Sequence, residues 1–293
     1  MAISRQNLAA HVVTAAGASL LVQPALAQTD NIGFRGEAFA GVAREELPLN
    51  QRDTDFSGGA MPSIIFGTNS PVVAQIDGLI ADHLGGTVLA GAGHVGVRAG
   101  EAFTIGIYTS YAHFDRAVNL ESYRIGGEAR YFSGPFSISG VAGYEHVDRG
   151  DWIIGPAPDF DPIARYRKRG SFFSMVDLSA YASDNWAVTA GHRYVGRRHA
   201  VSLGTEAGFG GSGLSLFAEG RIGDAGYTAA WAGLRVKLGG SSATLREREE
   251  SGFTNRLKDE LFGPNRLVVA PPPPPPNPPD EGGGSCCGPC YPQ

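Results

Sequence analysis

Tyr123-Arg-Ile-Gly-Gly-Glu-Ala-Arg-Tyr131, the turn Ser133-Gly-Pro135 and Phe136-Ser-Ile-Ser-Gly-Val-Ala-Gly-Tyr144 decide the fold. Side chains on an extended chain point to opposite faces in turn. Tyr123, Ile125, Ala129 and Tyr131 therefore share one face, and Ser122, Arg124, Glu128 and Arg130 share the other. Across the turn, Phe136, Ile138, Ala142 and Tyr144 alternate with Ser137, Ser139, Gly143 and Glu145. A period of two with one greasy and one polar face is the mark of a strand, and two such runs joined by Gly-Pro read as a hairpin.

The same unit recurs outward from this hairpin. From Gly86 to Leu238 the chain repeats roughly ten to fourteen alternating residues followed by a turn such as Ser183-Asp-Asn185 or Gly223-Asp-Ala-Gly226. Trp186, Val188, Ala190 and Tyr194 alternate with Thr189, Gly191, Arg193 and Arg197. The pattern predicts strands near 31–42, 72–82, 87–98, 101–113, 119–132, 135–147, 171–182, 186–197, 199–208, 214–221 and 227–238. Ser63-Ile-Ile-Phe-Gly67 supplies a twelfth. An even count returns both ends of a closed barrel to one side, and the long 148–170 segment then falls among the outer loops.

Composition agrees with an all-β chain. Of 293 residues 42 are glycine, about twice the usual ~7%. Each glycine inside a helix costs about 1 kcal/mol relative to alanine, so a helical protein is excluded. A net charge of −5 argues against a nucleic-acid binder, which needs a basic footprint.

Two architectures fit the alternation. An exported soluble sandwich or lipocalin-like binding protein hides the apolar face and typically uses strands of about 5–6 residues. An antiparallel transmembrane β-barrel turns the apolar face to lipid and needs about 9–11 residues per crossing. The units here are long and their polar faces carry arginines and glutamates together. Tyr111, Tyr131, Tyr144, Trp186, Tyr227 and Trp231 stand near segment ends, where interfacial aromatic girdles belong. The expectation is a barrel of about 12 strands, with 8 to 10 as the alternative.

Gly126-Gly-Glu-Ala-Arg-Tyr131, Phe136 to Tyr144 and the closing Trp231-Ala-Gly-Leu-Arg-Val-Lys-Leu238 resemble proteobacterial outer-membrane β-barrel proteins of the small porin-like or surface-antigen type. Gly233, Val236 and Leu238 occupy the places of a barrel-assembly signal, a glycine followed at +3 and +5 by large apolar residues, for which that family prefers aromatics. The resemblance covers about two-thirds of the chain. It implies residence in the outer membrane, with membrane lipid and the barrel-assembly machinery as partners.

Residues 1–27 read as a cleavable signal peptide: Arg5, an apolar core from Val12 to Val22, and the small-residue site Ala25-Leu-Ala27. The barrel domain is expected over 28–240. Residues 241–263 form a short helical segment with Phe253, Leu257 and Leu261 at four-residue spacing, read as docking at the barrel end or lying solvated. Residues 264–293 form a disordered Pro-rich linker and a cysteine-containing tail, expected on the periplasmic side, where it contacts envelope components. Pro271 to Pro276 begins a polyproline II rod.

No residue set is assigned to catalysis, a cofactor or a metal, and the chain is read as a non-enzyme. Cys287-Gly-Pro-Cys290 has the spacing of a redox dithiol but lacks the strand and helix which that chemistry requires. Cys286, Cys287 and Cys290 are read instead as a disulfide or tether. His199 and Ser202 lie three apart on a strand and so on opposite faces, which denies them a nucleophile–base pair. Gly91-Ala-Gly-His-Val-Gly96 opens no helix and is rejected as a dinucleotide site.

The polar faces supply the functional candidates: Arg124, Glu128, Arg130, Glu145, Asp177, Arg193, Glu206 and Arg235. Lining a narrow barrel, they form either a plug of ion pairs or the wall of a porin-like channel. The expected function is a narrow outer-membrane channel or a structural barrel; an adhesin is the further alternative.

Overall fold

The computed structural model describes residues 31–46, 52–100, 102–115, 120–149, 151–153, 163–165, 169–238 and 244–262. The fold is a closed antiparallel barrel of twelve strands. They are β1 (Ile32–Glu46), β2 (Arg52–Phe66), β3 (Val72–His83), β4 (Gly86–Ala99), β5 (Phe103–Asp115), β6 (Leu120–Ser133) and β7 (Phe136–Arg149), continued by β10 (Arg169–Ser183), β11 (Trp186–Val195), β12 (Arg198–Gly208), β13 (Leu214–Gly223) and β14 (Thr228–Leu238). A separate antiparallel pair, β8 (Asp151–Ile153) and β9 (Ile163–Arg165), lies within the 150–168 connection. β1 closes on β14, with Phe34 opposite Leu238 and Arg44 opposite Thr228.

The surface is inverted relative to a soluble protein. Ile107 is 62% exposed, Leu203 64% and Ile222 66%, while Arg124 and Glu145 are buried inside. The soluble sandwich is therefore not the architecture. Around the apolar middle run two aromatic rims, eight residues apart on four strands: Phe103 and Tyr111, Tyr123 and Tyr131, Phe136 and Tyr144, Trp186 and Tyr194. Eight residues of strand at ~3.3 Å, tilted by ~40°, separate the rims by about 20 Å, close to the ~25 Å apolar band of membrane barrels.

The two mouths differ. At the mouth holding Ile32 and Leu238, the connections 67–71, 100–102, 134–135, 184–185 and 209–213 are short. The opposite mouth carries the longest connection, 150–168, and is called the loop mouth below.

Several details depart from the sequence reading. The twelfth strand is β2, fifteen residues long, and 63–66 is only its end. Gly58, Gly59 and Pro62 mask it: proline cannot donate to a ladder, and the β2–β3 pairing lapses between Ala60–Ile80 and Ser63–Asp77. Arg197 is a turn residue and not part of a polar face. Gly196 and Arg197 both adopt positive φ, 60° and 62°, as a two-residue hairpin turn requires. Tyr227 and Trp231 point inward, at 1% and 3% exposure, and so belong to no girdle. The proposed signal peptide, the residues after 262 and the three cysteines lie outside the described residues.

Candidate functional site

The lumen holds the segment 244–262. In place of one amphipathic helix it contains α1 (Leu245–Glu250), a turn at Ser251 and Gly252, an irregular stretch to Arg256 and a 3₁₀ helix over Leu257–Phe262. Ser251 is the C-cap of α1, and a Cβ on Gly252 would come within 2.6 Å of Gln75 Oε1 and 2.9 Å of Ile65 Cδ1, so those side chains would have to shift. α1 begins with a capping box. The Glu247 amide donates to Thr244 Oγ1 at 3.2 Å, and the Thr244 amide donates to Glu247 Oε2 at 2.8 Å.

α1 sits at the terminal mouth. The Leu245 amide donates to the Asp184 carbonyl at 2.8 Å, Arg246 reaches the Gly134 carbonyl, and Leu245 packs with Tyr181 and Ala187. Three wall arginines then hold the main chain. Arg35 donates to the carbonyls of Arg248 and Phe253, Arg98 to that of Ser251 at 2.8 Å, and Arg130 to those of Glu249 and Gly252. These carbonyls lie at and beyond the helix C-terminus, where cations are favoured and the fork of guanidinium donors is well matched.

Deeper in, the Phe253 amide donates to Gln75 Oε1 at 2.8 Å and its ring packs with Ile65 and Val73. The ring lies over the registered pair Gly96 and Gly106, where a Cβ would come within 2.6 and 2.8 Å of its Cζ. It also stacks on His94 with centroids 5.3 Å apart. His94 bridges Asp77 and Glu128 at 3.0 Å each, and Gln75 donates to Asp77 at 2.9 Å.

Towards the loop mouth the contacts become ionic. Arg256 pairs with Asp177, and Lys258 with Glu37 at 2.5 Å and Glu219 at 3.0 Å. Asp259 pairs with Arg193 and Arg221 at 2.8 Å each, and Glu260 with Arg124. Phe262 meets Tyr227 edge to face at 4.9 Å beneath the Arg198 guanidinium, which pairs with Glu45. Burial raises the pKa of the Tyr227 hydroxyl, whose turn lies outside the strands. A cavity of about 210 Å³ remains, bordered by Glu37, Glu206, Arg235, Asp177, Arg256 and Lys258.

All eight residues singled out from the sequence face this lumen, six of them in three ion-paired groups. Arg124 and Glu145 pair at 3.3 Å, Asp177 and Arg193 at 2.7 Å, and Arg235 joins Glu206 to Glu37. Glu128 serves His94, and Arg130 serves the segment's backbone. Their partners on the segment, Arg256, Asp259 and Glu260, were missed, as was Lys258, which pairs with Glu37 and Glu219. The signal for them is a run of four charges interrupted only by Leu257, within the Phe253, Leu257 and Leu261 spacing. Charges so close to an apolar stripe are ordinary on a solvated helix, which is why they did not stand out. His199 is on the outer face, beside His192 at 3.1 Å, and Ser202 faces the lumen.

No protein-family model and no curated protein matches this chain. Among solved structures it is similar to the translocator domain of autotransporter NalP from Neisseria meningitidis. That likeness has TM-score 0.52 and 13% identity over 80% of this chain and 95% of that one. Weaker likenesses are to the KdgM porin, TM-score 0.46 and 9% identity over 69% and 98%, and to the toluene transporter TodX of Pseudomonas putida, 0.42 and 10% over 75% and 93%. At this level of identity the likeness to the translocator domain extends to the fold, a closed antiparallel β-barrel.

Proposed function

We propose that the protein is an outer-membrane barrel closed by its own C-terminal segment, acting as a structural anchor and not as an open diffusion pore. The observation that carries this reading is the ionic seating of 256–260 across the middle of the lumen. The apolar belt and aromatic rims support residence in a bilayer, with membrane lipid as the first partner. Short turns at one mouth and the long connection at the other support an orientation with Leu238 on the periplasmic side. The closing residues Trp231 to Leu238 are the part offered to the assembly machinery. A channel through the same barrel is the second reading, favoured only by the residual cavity, and it requires the segment to move.

Planar-bilayer recording tests this proposal. The full chain is expected to be nearly silent, and a chain ending at Gly240 to give steps whose size changes in Arg124→Ala or Arg193→Ala. Should the truncated chain fail to fold, the full-length double variant Asp259→Asn, Glu260→Gln loosens the same seat. Equal conductance with and without the seat intact would overturn the closed-barrel reading.

A further inference from the structure

We infer that the segment 244–262 is a thirteenth crossing of the barrel, so that the chain after Phe262 leaves through the loop mouth, opposite Leu238, and the barrel presents its cysteine-bearing tail there. The sequence-based expectation put that tail on the side of Leu238, because twelve strands bring the chain home. The lumen segment reverses the parity.

Contacts along the segment climb the barrel in order. Leu245 and Arg246 touch the turns 184–185 and 134–135. Ser251 is bonded to Arg98, whose guanidinium also donates to the carbonyls of Gly67 and Ser70 in the 67–71 turn, still at the terminal mouth. Arg256 meets Asp177 and Ser139 in mid-barrel. Asp259 meets Arg193, two residues short of the end of β11. Phe262 meets Tyr227 and approaches Gly223, both flanking the β13–β14 turn at the loop mouth. The segment thus touches turns at both mouths, 134–135 and 184–185 through Arg246 and Leu245 and the β13–β14 turn through Phe262.

The far end of the segment is packed tightly into the lumen. Leu257 and Leu261 are fully buried and Phe262 is 1% exposed, so the segment fills the space beside it. The cavity left beside it, about 210 Å³, is bordered by the segment itself through Arg256, Lys258 and Asp259. The collar of Glu45, Arg198, Tyr227 and Phe262 then fixes the exit point. Residues 263–293, with all three cysteines of the sequence, follow directly. The inference rests on the outer-membrane reading only for which compartment the loop mouth faces.

Thiol labelling reads the topology directly, because Cys286, Cys287 and Cys290 are the only cysteines. Cells carrying the full chain are reduced and treated with a membrane-impermeant biotin maleimide before and after outer-membrane permeabilisation. Two marker chains have the three native cysteines changed to serine: Asp115→Cys at the loop mouth and Ser133→Cys at the terminal mouth, both at exposed strand ends. The native cysteines are expected to label together with Asp115→Cys, and Ser133→Cys in the other condition. Co-labelling of the native cysteines with Ser133→Cys would overturn the thirteenth crossing, whichever marker is outside. Flotation with outer-membrane fractions is scored on the same cells, so failure of residence is separable from failure of topology.

Discussion

Phe253 lies flat on His94, their ring planes 15° apart, with a pair of registered glycines beneath the same phenyl edge. The wall is thus shaped for one aromatic residue of the segment. Gly96 and Gly106 remove side chains where the ring enters, and His94 supplies a face held rigid by Asp77 and Glu128. Removing a buried phenyl ring costs about 3–5 kcal/mol in well-packed cores. Phe253→Ala is therefore expected to unseat the segment while leaving the twelve-strand ladder intact. Hydrogen exchange should accelerate across 245–262 and stay slow in β3 to β7; unchanged protection of the segment would contradict the seat.

The ion pairs above that ring are redundant, which sets the size of their single-site effects. Asp259 faces both Arg193 and Arg221, Arg193 also holds Asp177, and Asp177 also holds Arg256. Breaking an isolated buried pair costs about 3–5 kcal/mol because it strands a charge. Here Arg193→Ala or Asp259→Ala alone leaves each survivor with another counter-ion, so each is expected to fall below that range. Asp177→Ala with Asp259→Ala strands Arg193 and Arg256 together and is expected to exceed the sum of the singles. Denaturant unfolding in detergent measures the cycle, with a coupling of about 0.5–3 kcal/mol expected for contacting residues.

What the sequence revealed and what it concealed follow from the same physics. The hairpin of Tyr123 to Tyr144 is legible because long strands with one lipid face leave an unbroken period of two. The inward arginines and glutamates are legible for the same reason. β2 is masked because Pro62 and the Gly58-Gly59 pair read as loop, although their neighbours keep the register. Tyr227 and Trp231 were assigned to the girdles from their place near a strand end. Parity alone decides their face, and Trp231 bonds Ser57 inside at 2.8 Å. The lumen segment was the hardest feature to read. Its helix is only six residues long and its stability comes from wall arginines far away in sequence, Arg35 being 213 residues from Arg248.

The start of that segment carries a local signal of its own. Thr244-Leu-Arg-Glu247 is a capping box, and loss of an N-cap side chain costs about 1 kcal/mol. Thr244→Ala is expected to fray α1 at the terminal mouth and raise amide exchange there. Thr244→Ser, which keeps the hydroxyl acceptor, should preserve protection. If the two variants behave alike, the cap does not hold the helix in place.

Depth in the bilayer gives the sharpest test of what the barrel faces. On β5, Ile107 lies midway between Phe103 and Tyr111, and its side chain is 62% exposed on the outer wall. Tyr111 stands one rim away on the same face, its ring 4.9 Å from that of Tyr123. In water a substitution at an exposed surface position usually changes stability by about 0.5 kcal/mol or less. At the midplane of a membrane barrel an outward arginine costs about 2–4 kcal/mol, falling to about 0–1 kcal/mol near the interface. Ile107→Arg is therefore expected to destabilise the folded barrel in lipid vesicles several-fold more, in free energy, than Tyr111→Arg. Reversible urea unfolding in thin-lipid vesicles measures both. The two positions share a strand and a face and differ in depth; Tyr111→Arg also loses the ring contact with Tyr123, which works against the expected order, and equal small effects would mean that the outer wall meets water.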